Sequence, residues 1–411
     1  MSGRSLSLTR MLRHWWGFKL TPLGRYLVLA TLLAGLGTVT VEIPVYLICC
    51  LLLALIGTAE MIGLCVRTRV DVSGQLPEKM NAGDSITTML QVRNRSRRPA
   101  LDVMAALPEL PADVTHEDAD VYVPHVPGRG TATLPVTLRA TQRGFIRIPE
   151  LRVHSTFPFN LMRVQYGQLP PHSMTVLPTY HLLDHLDLPV THRYQPGGLS
   201  VSAGTGHSPE YIGNREYVPG EPANRLDFRA WARLGKPIVR EYMEEYFCRI
   251  AVILDTFVPR RRARNPQGFP DLEAAVSLTA AVSDSLRQGD YVIDVFAAGP
   301  ELYVFRTSGG TTHFDAVLEI LACLEACRSD PFDEVGPVVS EELESMSTAI
   351  CIFLDWDEPR RRLCETIREA GCSLKVIIVR DGPTTLSGST DVPELQQVSP
   401  DDIRAGRVRQ L

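Results

Sequence analysis

Two short acidic clusters contain the residue types that could do chemistry. Asp255-Thr-Phe-Val-Pro259 and Asp355-Trp-Asp357 each follow an apolar run, so each stands where a strand would end. Two carboxylates and the Thr256 hydroxyl are hard oxygen donors, the kind Mg²⁺ takes in an octahedron while keeping some of its waters. With such an ion, Asp255 and Asp355 would suit metal-assisted hydrolysis. Without one, Asp255 would cap a helix or pair with an arginine from residues 215–241. The run Arg260-Arg-Arg262, with Arg264, would neutralise Asp255 without a metal, and Arg360-Arg-Arg362 would do the same beside Asp355 and Asp357. The same loops would also suit an acidic partner surface or a phosphate. His181-x-x-x-His185 with Asp184 has ligand types at helical spacing, but reads more simply as exposed loop.

Other chemistries are excluded by what the chain lacks. No G-x-S-x-G elbow, Walker A loop, H-E-x-x-H or dinucleotide fingerprint occurs. Ser308-Gly-Gly310 is glycine-rich but has no Lys-Ser/Thr after it. The 9 Cys include no C-x-x-C pair, and an odd count without a metal pattern reads as free thiols in a reducing compartment. Cys323 and Cys327, four apart on a predicted helix, read as small packing residues. Composition is that of a globular chain, with 45% apolar and 22% charged residues. The net charge of −5 is the sum of +5 in residues 1–70 and −10 in the remainder. A mildly acidic main body argues against nucleic acid as a partner.

These residues need elements to position them. From Ile250 the pattern alternates apolar runs (250–254, 291–296, 302–305, 349–354, 374–379) with helical spacing over 271–286, 314–327 and 360–370. That alternation predicts a doubly wound parallel sheet over 250–411, with ligands beyond the carboxyl ends of its strands. Residues 70–182 have period-two alternation, as in Ser85–Arg93 and Thr131–Arg139, broken by turn clusters, and predict a β-sandwich-like domain. Before it lie two apolar runs, about 24–41 and 45–66. The second would measure about 33 Å as a helix, enough for a hydrocarbon core of ~30 Å. Together they predict a transmembrane hairpin within residues 1–69. Arg4, Arg10, Arg13, Lys19 and Arg25 precede the hairpin and Arg67 and Arg69 follow it, which keeps both chain ends in the cytoplasm. Glu60 is expected near the cytoplasmic interface or facing the partner helix.

Between the β-rich and α/β regions lies a polar segment, 183–249, read as a linker. From Arg193 to Arg249 it carries 8 basic and 7 acidic residues, closely interleaved; such a stretch suits an ion-pair lattice better than a basic groove. Arg215-Glu-Tyr-Val-Pro-Gly-Glu221, Arg225-Leu-Asp-Phe228, Ala232-Arg-Leu-Gly-Lys236 and Val239-Arg-Glu241 resemble the signature of the "domain of unknown function 58" family of membrane proteins. The flanks carry the likeness further, through Arg143-Gly-Phe145 and Phe157-Pro-Phe-Asn160. Three positions depart from the pattern: Glu221 replaces Asp, Phe228 replaces Trp, and Trp231 stands where a small residue is usual.

The resemblance implies a von Willebrand A-like C-terminal sheet and association with MoxR-type AAA+ ATPases, without catalytic activity. The signature residues Arg215, Glu216, Tyr217, Pro219, Gly220, Glu221, Arg225, Asp227, Arg229, Ala232, Arg233, Lys236, Arg240 and Glu241 would then serve interaction. Von Willebrand A metal sites resemble Asp-x-Ser-x-Ser, and here Phe257 and Pro259 occupy the serine positions. Asp255, Thr256 and Asp355 would be the remnant of such a site, with no cofactor or at most a weakly held Mg²⁺. The expected protein is a scaffold or adaptor in the cell inner membrane. It would partner the ATPase or other envelope proteins in assembly, maturation or stress response. The alternatives are the Asp255/Asp355 hydrolase and a structural envelope component without an ATPase.

Overall fold

The computed structural model describes residues 15–37, 45–189, 211–218, 226–242, 249–259, 268–288, 291–298, 302–306, 311–329, 332, 336, 339, 343, 346–386 and 395–411. They divide into two compact units, one formed mainly by residues 1–179 and the other mainly by 180–411.

The first unit begins with two apolar helices, α1 (Pro22–Leu36) and α2 (Val45–Val66). Among the described residues, α2 alone is long and apolar enough to cross a membrane. The first run, expected over 24–41, gives 15 helical residues, about 22 Å, and its later part lies outside the described residues. The helices pack on each other, with the Cys49 thiol 3.9 Å from the Thr31 carbonyl. Glu60, the one charge inside α2, pairs with Lys19, so a costly carboxylate is neutralised near the end of its helix.

Strands follow as β1 (Val70–Ser73), β2 (Lys79–Asn81), β3 (Ser85–Asn94), β4 (Ala100–Ala106), β5 (Val114–His116) and β6 (Tyr122–Val126). They continue as β7 (Thr131–Ala140), β8 (Gly144–Ile148), β9 (Leu151–Ser155), β10 (Val164–Leu169) and β11 (His172–Leu177). They form three sheets, ordered β1-β3-β7-β5, β10-β9-β4-β6 and β2-β11-β8, rather than the two of a simple sandwich. Alternation puts Leu90, Val92, Leu134, Val136 and Leu138 into one shared core.

The helices are fastened to this unit at their base. Backbone bonds run from Thr21 N to Leu161 O (3.1 Å) and from Arg163 N to Lys19 O (2.7 Å). The Thr21 hydroxyl caps α1 by accepting from Gly24 N at 3.1 Å. Leu20, Ala59, Leu161 and Met162 are buried together there. Residues 157–160, one of the flanking blocks, therefore lead into the turn that receives the helices.

The second unit opens with a small element inside the stretch expected to be linker. It comprises β12 (Tyr211–Glu216), α3 (Phe228–Leu234) and β13 (Ile238–Tyr242). A six-stranded sheet then follows, built from β14 (Arg249–Asp255), β15 (Val292–Ala298), β16 (Leu302–Arg306), β17 (Thr348–Phe353), β18 (Ser373–Val379) and β19 (Leu395–Val398). Its order is β16-β15-β14-β17-β18-β19, parallel except for the antiparallel edge strand β16. Helices α4 (Pro270–Gln288), α5 (Thr311–Cys323), α6 (Glu358–Glu369) and α7 (Pro400–Arg404) alternate with the strands. Ile250 to Leu254 is buried throughout, as a strand covered on both faces must be. The chain steps outward in both directions from β14 and β17, so the topological switch point lies between them.

Two expectations change here. The helix predicted over 314–327 runs from Thr311 to Cys323, so Cys327 lies beyond it and is buried, while Cys323 is exposed. The last predicted strand is followed by a further one, β19, whose sequence Leu-Gln-Gln-Val is too short and polar to announce itself.

Candidate functional site

The carboxyl end of β14 presents Asp255 at the switch point. Its side chain is fully buried and its two oxygens are both in use. Oδ1 accepts from Phe257 N at 2.8 Å. Oδ2 accepts from Leu354 N at 3.1 Å, from Arg360 Nε at 2.8 Å, and lies 2.7 Å from Arg360 Nη2. The arginine comes from the first turn of α6. Asp357 caps that helix by accepting from Arg360 N at 3.3 Å, and its Oδ2 also takes Arg360 Nη1. Phe332 stacks against the guanidinium at 4.7 Å and Phe257 at 5.6 Å. Burial works against the charged guanidinium, yet Asp255 and Asp357 outweigh it and hold the group above its ordinary value. Burial likewise pushes the Asp255 carboxyl up, with Arg360 and the two amides opposing.

Asp355 belongs to a separate set. Its Oδ1 accepts from Trp356 N (2.8 Å) and Thr385 N (3.0 Å), and its Oδ2 accepts from Thr385 Oγ1 (2.8 Å) and pairs with Arg380. Burial opposes ionisation here too, but the Thr385 amide and hydroxyl, Trp356 N and Arg380 hold this carboxyl below the usual range. Thr256, buried beside Asp255, accepts through its carbonyl from Cys327 N at 2.8 Å.

Do Asp255, Thr256 and Asp355 fit a divalent ion? They do not. Each oxygen of Asp255 already has a donor, and the guanidinium supplies the positive charge that an ion would bring. The sequence points to an arginine of residues 215–241 as the partner of Asp255; the structure instead gives it Arg360, 105 residues away on the helix after the neighbouring strand. Its signal was the Asp357-Glu-Pro-Arg360 start of a capped helix, which places the arginine at the strand end. The histidine candidate is also built differently: His181 Nε2 lies 3.1 Å from Arg404 O, and Asp184 N donates to Arg409 O at 2.8 Å. Among the described residues no group of three or more His, Cys, Asp or Glu is placed to hold a metal.

The signature block makes the second candidate. Strands β12 and β13 pair antiparallel, with Arg215 opposite Val239 and Gly213 opposite Glu241. Between them, Asp227 accepts from Arg229 N (3.0 Å) and Ala230 N (3.1 Å), capping α3. Arg240 Nε reaches the same carboxylate at 3.2 Å. The Ala230 amide, then Arg240, hold the Asp227 carboxyl below its ordinary value. At the other end Gly235 adopts φ +65, which glycine takes without strain, and closes the helix with Gly235 N to Trp231 O at 2.9 Å. Tyr217 N donates to Pro237 O at 2.9 Å, and Lys236 pairs with Glu216 at 3.0 Å on the surface. Arg215, Arg229, Ala232 and Arg233 are exposed. Pro219, Gly220, Glu221 and Arg225 lie outside the described residues.

Ile238 and Val239 are buried beneath this element, but α3 turns apolar groups outward. Phe228 is 65% exposed and Trp231 39%, with their rings stacked at 6.2 Å and 20°. Leu234, at the end of α3, and Val218, just after β12, are exposed as well. Two of the three departures from the signature, Phe228 and Trp231, are thus the two rings of one outward-facing pair.

Residues 213–350 match the family model described as "Protein of unknown function DUF58", and in this segment the chain is similar to that family. None of the curated proteins matches the chain. Among solved structures, native alpha-2-macroglobulin from Escherichia coli is 17% identical with a TM-score of 0.20, over 27% of this chain and 7% of that one. The CARDB domain of PF1109 from Pyrococcus furiosus is 12% identical with a TM-score of 0.17, over 26% of this chain and 92% of that one. The SpRpn10 VWA domain is 10% identical with a TM-score of 0.29, over 40% of this chain and 94% of that domain.

Proposed function

We propose that this protein is a membrane-anchored adaptor without catalytic activity, whose signature element offers the Phe228–Trp231 face to another protein. The observation that carries the reading is that face itself. Two stacked rings stay exposed on a helix whose ends are capped and whose polar frame is satisfied. Exposed aromatics of this kind are what protein interfaces bury at their centres. Its partner is a MoxR-type AAA+ ATPase, as the family resemblance implies. Both apolar helices anchor the chain in the inner membrane as a hairpin, with the β-rich unit, sandwich-like in its core, and the von Willebrand A-like sheet on the cytoplasmic side. The apolar length of α2 and the arginines on either side of the hairpin support that orientation.

The top of the sheet contributes shape and charge, with Arg360 as its resident cation, so contact there needs no divalent ion. A hydrolase built on Asp255 and Asp355 draws no support from a carboxylate sealed beneath Arg360. The test is co-purification of the full chain in detergent with a MoxR-type ATPase. Retention by the wild type and loss in Phe228→Ala/Trp231→Ala is expected; equal retention by both would move the interface elsewhere, and no retention by either would favour a structural envelope role.

A further inference from the structure

The end of α2 opens onto a surface crowded with arginine. The carbonyl of Cys65, in the last turn, accepts from Arg98 Nη1 at 2.9 Å. The chain then runs through Arg67 and Arg69 into β1, whose Asp71 lies opposite Arg93 of β3. A buried asparagine gathers the rest. Asn94 Nδ2 donates to Arg98 O at 2.8 Å and to Val126 O at 3.2 Å, and its Oδ1 accepts from Ser96 N at 2.9 Å. Ser96 O accepts from Arg129 N at 2.9 Å, Ser96 Oγ from Arg69 N at 3.2 Å, and Arg95 N donates to Arg69 O at 3.0 Å.

Three stretches far apart in sequence, 67–69, 93–98 and 127–130, therefore meet where the apolar helix ends. Their 7 arginines are all exposed. Among the described residues the acid paired with this group is Asp71, held by Arg95. A recess of about 410 Å³ lies between Asp71, Arg93, Asn94, Arg95 and Arg129. Such a density of fixed positive charge, on a backbone ordered by hydrogen bonds, is built for anions.

We infer that this arginine surface binds the phosphodiester headgroups of anionic phospholipids and lays the β-rich unit against the leaflet from which α2 emerges. The inference rests on the reading of α2 as a membrane anchor. Helix and cluster are continuous, so any bilayer crossed by α2 brings its headgroups to these side chains. Near an anionic leaflet each arginine is worth roughly fivefold in affinity, an effect that is lost beyond a Debye length. Planar guanidinium groups also engage phosphate oxygens in pairs, which suits headgroups better than point charges do.

Trypsin reads the surface directly, because it cuts after Arg95 and Arg97. The full chain is placed in nanodiscs of phosphatidylcholine alone or of phosphatidylcholine with phosphatidylglycerol. Phosphatidylglycerol should slow cleavage at these bonds at least about fivefold, and molar salt should abolish the difference. The double variant Arg93→Gln/Arg129→Gln, which keeps both cleavage sites, should lose most of the protection while melting as the wild type does. Equal cleavage in both discs, protection that survives in the variant, or equal protection by soluble duplex DNA would each overturn the proposal. A chain that enters neither kind of disc would instead overturn the anchor itself, and the lipid surface with it.

Discussion

Arg360 Nη2 lies 2.7 Å from Asp255 Oδ2, with both side chains sealed from solvent. A buried pair of this kind owes its worth to completeness. Its desolvation is offset only because Asp357, two amides and two aromatic faces complete the set. Arg360→Ala leaves a carboxylate buried without its cation and should cost about 3–5 kcal/mol, read as a lowered denaturation midpoint. Replacing both partners by apolar residues, Asp255→Leu with Arg360→Met, should recover most of that loss. If the single and double variants unfold alike, the pair is not what orders the top of the sheet.

The β-rich unit should be sensitive to acid through His154. Burial, with the nearby Arg163 charge, pushes this imidazole down from 6.5 to about 3; Phe18 stands edge-on to it at 6.1 Å. The folded state therefore refuses a proton that the unfolded chain accepts. Stability is whole above pH 6.5 and falls as pH drops towards 3, by at most about 5 kcal/mol. His154→Gln should flatten the pH dependence of the melting temperature across that window. An unchanged slope would assign the acid sensitivity to other groups.

Gly24 sits where α1 packs against the Leu161 backbone. A Cβ there would meet Leu161 O at 2.0 Å, so Gly24→Ala has to push the helix off its seat. Overpacking of this sort costs about 1–3 kcal/mol. Lower thermal stability in detergent is expected, with faster proteolysis around residues 160–163. Wild-type behaviour in both assays would mean that the helix base is not held by this contact.

Asp227 works locally, on the surface. Asp227→Ala should leave the global unfolding midpoint nearly unmoved but speed amide exchange at Arg229 and Ala230 several-fold, because those amides lose their acceptor. Asp227→Asn keeps an acceptor and should retain most of the protection. Since Arg240 meets the carboxylate in water-accessible surroundings, added salt should weaken its share.

Much of the α/β unit could be read in advance, because Ile250–Leu254 is uniformly apolar and α4 keeps its helical spacing for five turns. What escaped the sequence was short or polar. The element made by β12, α3 and β13 hides in a stretch of interleaved charges, where a seven-residue helix gives no period to detect. The partner of Asp255 was hidden for another reason: residues 255 and 360 meet only when β14 and β17 become neighbours, and one sequence carries no trace of that pairing. The arginines at 67–69 and 93–98 are visible singly, but their common surface depends on the β1–β3 register and on Asn94. The signature block was legible as a motif, whereas its outward rings, Phe228 and Trp231, stood out in the sequence only as departures from that motif.

The central claim is that the Phe228–Trp231 face engages another protein. Binding of a purified MoxR-type ATPase to the full chain in detergent, compared between wild type and Phe228→Ala/Trp231→Ala, tests it most directly. Loss of two interface aromatics should weaken binding by at least about thirtyfold, near 2 kcal/mol, while the melting temperature stays put. Equal affinity for the two proteins, with both folded, would contradict the account.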